Sequence, residues 1–262
     1  DTTLGGIAIN TIAGDNNINA SEAAQGVVIS GTTADVPEGT TVTIKLGGIT
    51  YTTTTDVDGN WTYTVPAGDI ANLADGTSHV IVSTVTTANG TVTSQQDVGI
   101  YTTLPEPTLN TPFGDGLLGA TEATTDQTLT GKTGLTGDGQ TVTVEINGVP
   151  YTGTVATDGS WTVTVPSADL QNLPATDNPI IVTVTDAAGN SSTLTSNVNV
   201  DFTPPTLLLN PVATDGVINT AEAASGLTLS GTASPEDAGQ TVTLTFNNQT
   251  YTALVQGNGT WS

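Results

Sequence analysis

Thr41-Val-Thr-Ile-Lys-Leu46, Gly47-Gly48, Ile49-Thr-Tyr-Thr-Thr-Thr-Thr55, Asp56-Val-Asp-Gly-Asn60 and Trp61-Thr-Tyr-Thr-Val65 form one continuous stretch that decides the fold. Val42, Ile44 and Leu46 alternate with Thr41, Thr43 and Lys45, the period of two expected of a strand with one face buried. Gly47-Gly48 turns the chain into a second strand over Thr50 to Thr55, and Asp58-Gly59-Asn60 turns it again. In the third strand Trp61, Tyr63 and Val65 share a face, so the indole is expected to fill the core rather than offer a sugar-stacking platform.

Working outward, Ile7 to Ile12 and Val27 to Thr33 read as strands on either side of an acidic loop, and Val80 to Val85 and Val92 to Ile100 as two more. A short helical turn is expected after Pro66, around Asp69 to Leu73, with Asp69 and Asp169 as its caps or as contributors to an ion. Seven short strands joined by turns in about 100 residues are the pattern of an all-β, Ig-like seven-stranded sandwich.

That pattern recurs. Asn10, Asn110 and Asn210 align without a gap, as do Gly31, Gly131 and Gly231, Tyr51, Tyr151 and Tyr251, and Trp61, Trp161 and Trp261. A one-residue slip after Leu73 and Leu173 is repaired before Tyr101 and Asp201. The expected organisation is three tandem repeats in an extended array, at 1–100, 101–200 and 201–262, the third reading as truncated from a longer array.

Each repeat carries one acidic stretch: Asp15-Asn-Asn-Ile-Asn-Ala-Ser-Glu22, Asp115-Gly-Leu-Leu-Gly-Ala-Thr-Glu122 and Asp215-Gly-Val-Ile-Asn-Thr-Ala-Glu222. Against an EF-hand loop, the Asp stands at the fifth position and the Glu at the twelfth. The first and third positions are Thr11 and Ala13, Thr111 and Phe113, Pro211 and Ala213, so the stretch is not an EF-hand. It offers part of a calcium shell that other residues would have to complete; its bland alternative is a solvated turn with an Asx cap.

The 262 residues carry 25 Asp and Glu against 2 Lys and Arg, a formal net charge of −23. Such a chain cannot neutralise phosphates, which excludes nucleic acid, and it repels acidic lipid surfaces. The charge opposes the compact state unless something screens it, and divalent cations are the economical candidates. There is no Cys, hence no disulfide or thiolate chemistry, and no apolar run approaches the roughly 18 residues of a membrane span. His79 is the only His, and neither a nucleophile elbow nor a Gly-rich phosphate loop is present, so catalysis finds no support. The Thr-x-Thr runs, such as Thr52 to Thr55, read as the wet face of strands.

The chain resembles the bacterial Ig-like repeats of giant type I-secreted surface adhesins of Gram-negative bacteria. The residues that carry the resemblance are Asp201-Phe-Thr-Pro-Pro, Asp215 to Glu222, Leu229-Ser-Gly-Thr232, Thr241-Val-Thr-Leu, Asp158-Gly-Ser-Trp161, Val165-Pro-Ser-Ala-Asp169 and Asp186-Ala-Ala-Gly-Asn190. The resemblance implies an extracellular stalk that supports adhesion or biofilm formation, with neighbouring repeats as partners and a tip elsewhere that meets host or surface ligands. It also implies calcium as a stiffening cofactor. The first repeat departs at Thr86-Thr-Ala-Asn-Gly90, which lacks the counterpart of Asp186, and the second at Tyr101, where Asp1 and Asp201 stand in the other copies.

In an Ig-like sandwich the acidic loop and the loop after the fifth strand lie at the end where the chain leaves. The loops after the second and sixth strands lie at the opposite end. Asp15, Asn17, Asn19 and Glu22 are therefore expected to face Asp138, Asp186 and Asn190 of the next repeat. Asp115 and Glu122 would face Asp201 and the Glu236-Asp237 loop, and Asp215, Asn219 and Glu222 a further neighbour. Gathering oxygen ligands at junctions is the logic of cadherin-type arrays, and such a set suits calcium better than magnesium. Two other functions stay open at this stage: a ligand-binding adhesive module, which would call for an exposed aromatic cluster, and an accessory domain of a secreted enzyme.

Overall fold

The structure is a computed structural model that describes residues 4–213, 215–234 and 237–262. The positions Asp1 and Glu236, assigned to junctions from the sequence, lie outside the described residues. The chain divides into two compact units, Asp1–Val200 and Asp201–Ser262.

The first unit begins with β1 (Gly6–Ile9), β2 (Asn17–Asn19), α1 (Ala20–Gln25), β3 (Val27–Ala34), β4 (Thr41–Leu46), β5 (Ile49–Thr54) and β6 (Asn60–Val65). A short helix α2 (Ala67–Ile70) then leads to β7 (Thr77–Thr87) and β8 (Gly90–Tyr101). One sheet has the order β1-β3-β6 and the other β2-β8-β7-β4-β5. The expected first strand, Ile7 to Ile12, thus stops at Ile9. The chain then changes sheets and resumes as β2, parallel to β8, with Asn17, Ile18 and Asn19 opposite Gly99, Ile100 and Tyr101. The change of direction runs through Ala13 (φ 53°) and Asn16 (φ 66°), two non-glycine residues in the left-handed region. The seven-strand count holds because β1 and β2 are halves of one strand.

The same plan is repeated by β9 (Leu117–Gly119), β10 (Gln127–Lys132), β11 (Thr141–Ile146), β12 (Val149–Thr152), β13 (Thr154–Val155), β14 (Ser160–Val165), α3 (Ser167–Leu170), β15 (Asp177–Thr185) and β16 (Ser191–Asp201). The sheets are β10-β14-β13 and β12-β11-β15-β16-β9. The segment before β9 follows β10 through amides of Glu106, Thr108 and Asn110, which donate to the carbonyls of Thr133, Lys132 and Thr130.

The alternation read from the sequence sets the core. Val42, Ile44 and Leu46 are buried, while Trp61 and Trp161 are 2% and 1% exposed between the sheets. The tryptophans explain the aligned glycines. A Cβ on Gly131 would sit 1.9 Å from the Thr108 carbonyl and 2.6 Å from Trp161 Cζ2, and Gly31 and Gly231 meet the same two obstacles. The indole lies across a strand that tolerates no side chain at that point. Trp161 Nε1 donates to the carbonyls of Thr108 and Lys132, both at 3.2 Å.

Asp69 and Asp169 do not cap their helical turns, whose N-caps are Pro66 and Pro166 with no side-chain bond. Instead each accepts a hydrogen bond from a tyrosine one hairpin back, Tyr51 to Asp69 at 3.0 Å and Tyr151 to Asp169 at 3.1 Å. Burial first, then the bond to the carboxylate, pushes both phenols from 10.0 up to about 12. His79, which had no assigned role, has a counterpart after all. Its Nε2 lies 3.1 Å from the Ala74 carbonyl, and Asn178, at the same register, donates to the Pro174 carbonyl at 3.0 Å.

The second unit contains β17 (Leu207–Leu209), α4 (Thr220–Ser225), β18 (Gly231–Ala233), β19 (Thr241–Phe246), β20 (Gln249–Leu254) and β21 (Thr260–Trp261). The sheets are β17-β18-β21 and β19-β20. Phe246 and Tyr251, whose counterparts Leu46 and Tyr51 are buried, are 57% and 50% exposed and line an apolar cleft of about 630 Å³.

Two outcomes are expected. Gly131→Ala should destabilise the second sandwich at or beyond the roughly 1–3 kcal/mol of ordinary overpacking, and Trp161→Ala by roughly 3–5 kcal/mol. Denaturant unfolding followed by circular dichroism measures both, and near-neutral variants would refute the packing. Because the folded phenol pKa is raised, the stability from Tyr51 and Tyr151 is fully present below pH 10.0 and is lost as pH rises through about 12. Replacing both with Phe should flatten that alkaline loss, measured by unfolding across this range; an unchanged slope would place its origin in other groups.

Candidate site at the repeat junction

The three acidic stretches first satisfy their own backbone. Asp15, Asp115 and Asp215 each accept, through Oδ1, the amide two residues on, at 2.8, 2.9 and 2.9 Å. In the first and third copies Asn19 and Asn219 accept the amides of Glu22 and Glu222, whose Oε2 accepts the Asn amide in return. That reciprocal capping box starts α1 and α4. In the second copy Gly119 has no side chain to return the bond. Glu122 still accepts from Gly119 N at 3.0 Å, but only a 3₁₀ turn, Glu122–Thr124, follows.

The switch of sheets puts Asn19 beside Tyr101, the last residue of β8. Asn190 reaches this corner from the next repeat, at Ala20 and Tyr101. Its Nδ2 donates to the Tyr101 carbonyl at 2.6 Å and to Asp186 Oδ2 at 2.8 Å, and its Oδ1 accepts the Ala20 amide at 2.8 Å. Asn190 is 4% exposed. The turn that carries it is folded around Asp186, whose Oδ1 accepts the amides of Ala188 and Asn190, both at 2.9 Å.

Beside this contact lies a cleft of about 380 Å³, lined by Asp75, Tyr101, Asp138, Gln140 and Asp186 among others. Asp138 and Asp186 were read from the sequence as junction residues; Asp15, Asn17 and Glu22 take no part in the lining. Asp75 and Gln140 were not foreseen. Asp75 holds the linker, accepting from the amides and hydroxyls of both Thr102 and Thr103. Burial alone would raise its carboxyl, but these bonds outweigh it and hold the group below the ordinary carboxylate range. The Asp75-Gly76 pair has no copy in the second repeat, where the one-residue slip leaves only Ala175 between Pro174 and Thr176, so the repeat comparison passed over it. In the second unit Asp201 accepts the Thr203 amide at 2.8 Å, a bond that lowers its pKa, while Asp215, Asn219 and Glu222 repeat the turn and cap.

The donors fit a hard cation in kind. The cleft sets the carboxylates of Asp75, Asp138 and Asp186 beside apolar Leu135, Ala187 and Ala188, and Gln140 Oε1 is a buried oxygen with no hydrogen-bond partner. Asp237 Oδ2, on the equivalent loop of the second unit, is orphaned in the same way. Among the described residues no three His, Cys, Asp or Glu side chains come together as a metal cage, so amide, carbonyl and water oxygens would complete a shell here. Among the described residues no helix is long and apolar enough to cross a membrane.

Residues 116–202 match the family model of a bacterial Ig-like domain. Among solved structures, a Ca²⁺-stabilized adhesin that helps an Antarctic bacterium reach out and bind ice is 38% identical. That match covers 100% of this chain and 65% of the other, so the chain spans under two thirds of its length, with a TM-score of 0.42. A 1.5-MDa bacterial ice-binding adhesin, described for its retention on the host cell surface, is 32% identical over 98% of this chain and 85% of the other, TM-score 0.45. A bacterial immunoglobulin-like domain of the M. primoryensis ice-binding adhesin is 39% identical over 37% of this chain and 95% of its own length, TM-score 0.29. No curated protein matches. With these identities, and with the tandem sandwiches already described, the chain belongs to the bacterial Ig-like repeats of giant surface adhesins.

Proposed function

We propose that this chain is a spacer segment of a bacterial cell-surface adhesin, built of successive domains at 1–100, 101–200 and 201–262 and stiffened by calcium at the domain junctions. The observation that carries the reading is the end-to-end contact of the first two repeats, in which Asn190 grips the final residue of β8. The apolar cleft of the second unit is lined by core-type positions such as Phe246 and Tyr251, whose counterparts Leu46 and Tyr51 are buried in the first repeat, so it does not mark a distinct ligand site. The acids recur in repeated turns and serve the backbone. Adhesion or biofilm support, type I secretion and surface ligands follow from membership of a longer adhesin and belong to the same proposal.

Asp138, Gln140 and Asp186 are the residues that would hold calcium at the first junction; Asp15, Asn17, Asn19 and Glu22 serve the turn and cap beside it, and Asn190 commits its amide to hydrogen bonds. Asp115, Glu122, Asp201, Asp215, Asn219 and Glu222 are the remaining candidate ligands. Bound calcium supplies positive charge that two acidic domain ends share, so bending at the linker would require separating ligands from the ion. Extracellular calcium modules bind at about 10⁻⁴–10⁻³ M, and calcium at ten times its dissociation constant stabilises the folded state by roughly 1.4 kcal/mol.

Calcium is expected to raise the melting temperature and to lengthen the particle in small-angle scattering, and chelation to reverse both. Asp138→Ala and Gln140→Ala should each reduce the calcium-dependent part of the melting shift while leaving the calcium-free melting temperature within a degree or so. If calcium changes neither quantity, the acidic stretches are turns and caps only.

A further inference from the structure

The contacts across residues 101–103 point to a second device at the same place. We propose that the first junction carries a latch made of this chain's own side chains, Asn190 and Asp75, which holds the two repeats in register without a metal ion. The inference rests on the spacer reading for its purpose and on these contacts for its substance.

Asn190 joins three segments that are distant in sequence: the turn before β16, the end of β8 and the start of α1. The task needs one group that donates and accepts at once. The carboxamide donates to two oxygens, Tyr101 O and Asp186 Oδ2, and accepts from the Ala20 amide. With 4% exposure, water does not replace these bonds when the side chain is removed. Asp75 grips the linker from the first repeat's side through Thr102 and Thr103. The linker is therefore fixed from both repeats at consecutive residues, and rotation about it has to break one grip or the other.

This explains the departure at Tyr101. The latch uses the backbone carbonyl of residue 101, so the side chain there need not be acidic. Its ring instead lies over Gly99, where a Cβ would come within 2.4 Å of Tyr101 Cε2. In the next repeat the corresponding positions are Asn199 and Asp201, so Gly99 and Tyr101 change together. At the first junction a packed ring therefore stands where the next repeat carries a linker carboxylate.

The test is residue-resolved amide exchange on the whole chain, with and without chelator, at Ala20, Thr102 and Thr103, with the core amide of Val182 as a folding control. In chelator the wild-type amides should stay protected. Asn190→Ala should speed exchange at Ala20 by about tenfold or more, the scale of one lost hydrogen bond. Asp75→Ala should do the same at Thr102 and Thr103, with Val182 unchanged in both. Asn190→Asp keeps the shape but turns an oxygen toward Tyr101 O and Asp186. It should loosen Ala20 in chelator, and calcium should not restore it. Wild-type amides that open in chelator, an unchanged Ala20 in Asn190→Ala, or calcium rescue of Asn190→Asp would each overturn the latch, the last by making position 190 a cation ligand. The calcium reading fails separately, through an absent calcium-dependent melting shift.

Discussion

The first strand of each sandwich cannot complete both sheets by running straight, and the junction depends on how it solves that problem. β1 pairs with β3 in one sheet, and after a turn through left-handed residues β2 pairs with β8 in the other. The parallel pairing ends at Asn19 opposite Tyr101, so the start of α1 and the exit of the chain arrive at the same place. An antiparallel return could not bring them there. The acidic stretch is therefore a structural switch first, and its position at the end of the domain is a consequence of hydrogen-bond geometry rather than of its charge.

Many of the acids have local work that accounts for their presence. Asp15, Asp56, Asp158, Asp186 and Asp201 all accept a backbone amide two residues ahead, and Glu22 and Glu222 close capping boxes. For Asp56, Asp158 and Asp201 the hydrogen bonds they accept hold the carboxyl below the ordinary carboxylate range. Local satisfaction does not remove repulsion between neighbouring domain ends, where Asp75, Asp138 and Asp186 line one cleft. The net charge thus bears on how domains meet more than on how each folds.

The strands were legible because burial on one face writes a period of two into Val42-Thr-Ile-Lys-Leu46, and the tryptophans because their alternation with Val65 and Val165 admits only one buried face. The change of sheets was not legible: Ile12 is buried like a strand residue although it lies in the turn. The capping box was visible in principle as Asn19-x-x-Glu22, and its loss at Gly119 follows from the missing side chain. Asp75 lay hidden for a different reason. Repeat comparison emphasises what recurs, whereas Asp75 serves one junction only. His79 and Asn178 show the converse, two unlike residues whose ring and amide nitrogens reach equivalent carbonyls.

Gly99 and Tyr101 differ from Asn199 and Asp201, while the glycine–tryptophan pairs of the core do not change. Inside the sandwich, a Cβ on Gly131 would lie 2.6 Å from Trp161, and the same pair recurs at 31 and 61 and at 231 and 261. At the domain end the constraint is looser, because the backbone carbonyl of residue 101 makes the cross-domain bond whatever its side chain. A core position must satisfy its own sandwich in every copy. A junction position must satisfy only the neighbour that follows, so residues 99 and 101 can differ from 199 and 201 without disturbing either core. The period is preserved by packing, and the variation collects where one backbone atom carries the contact.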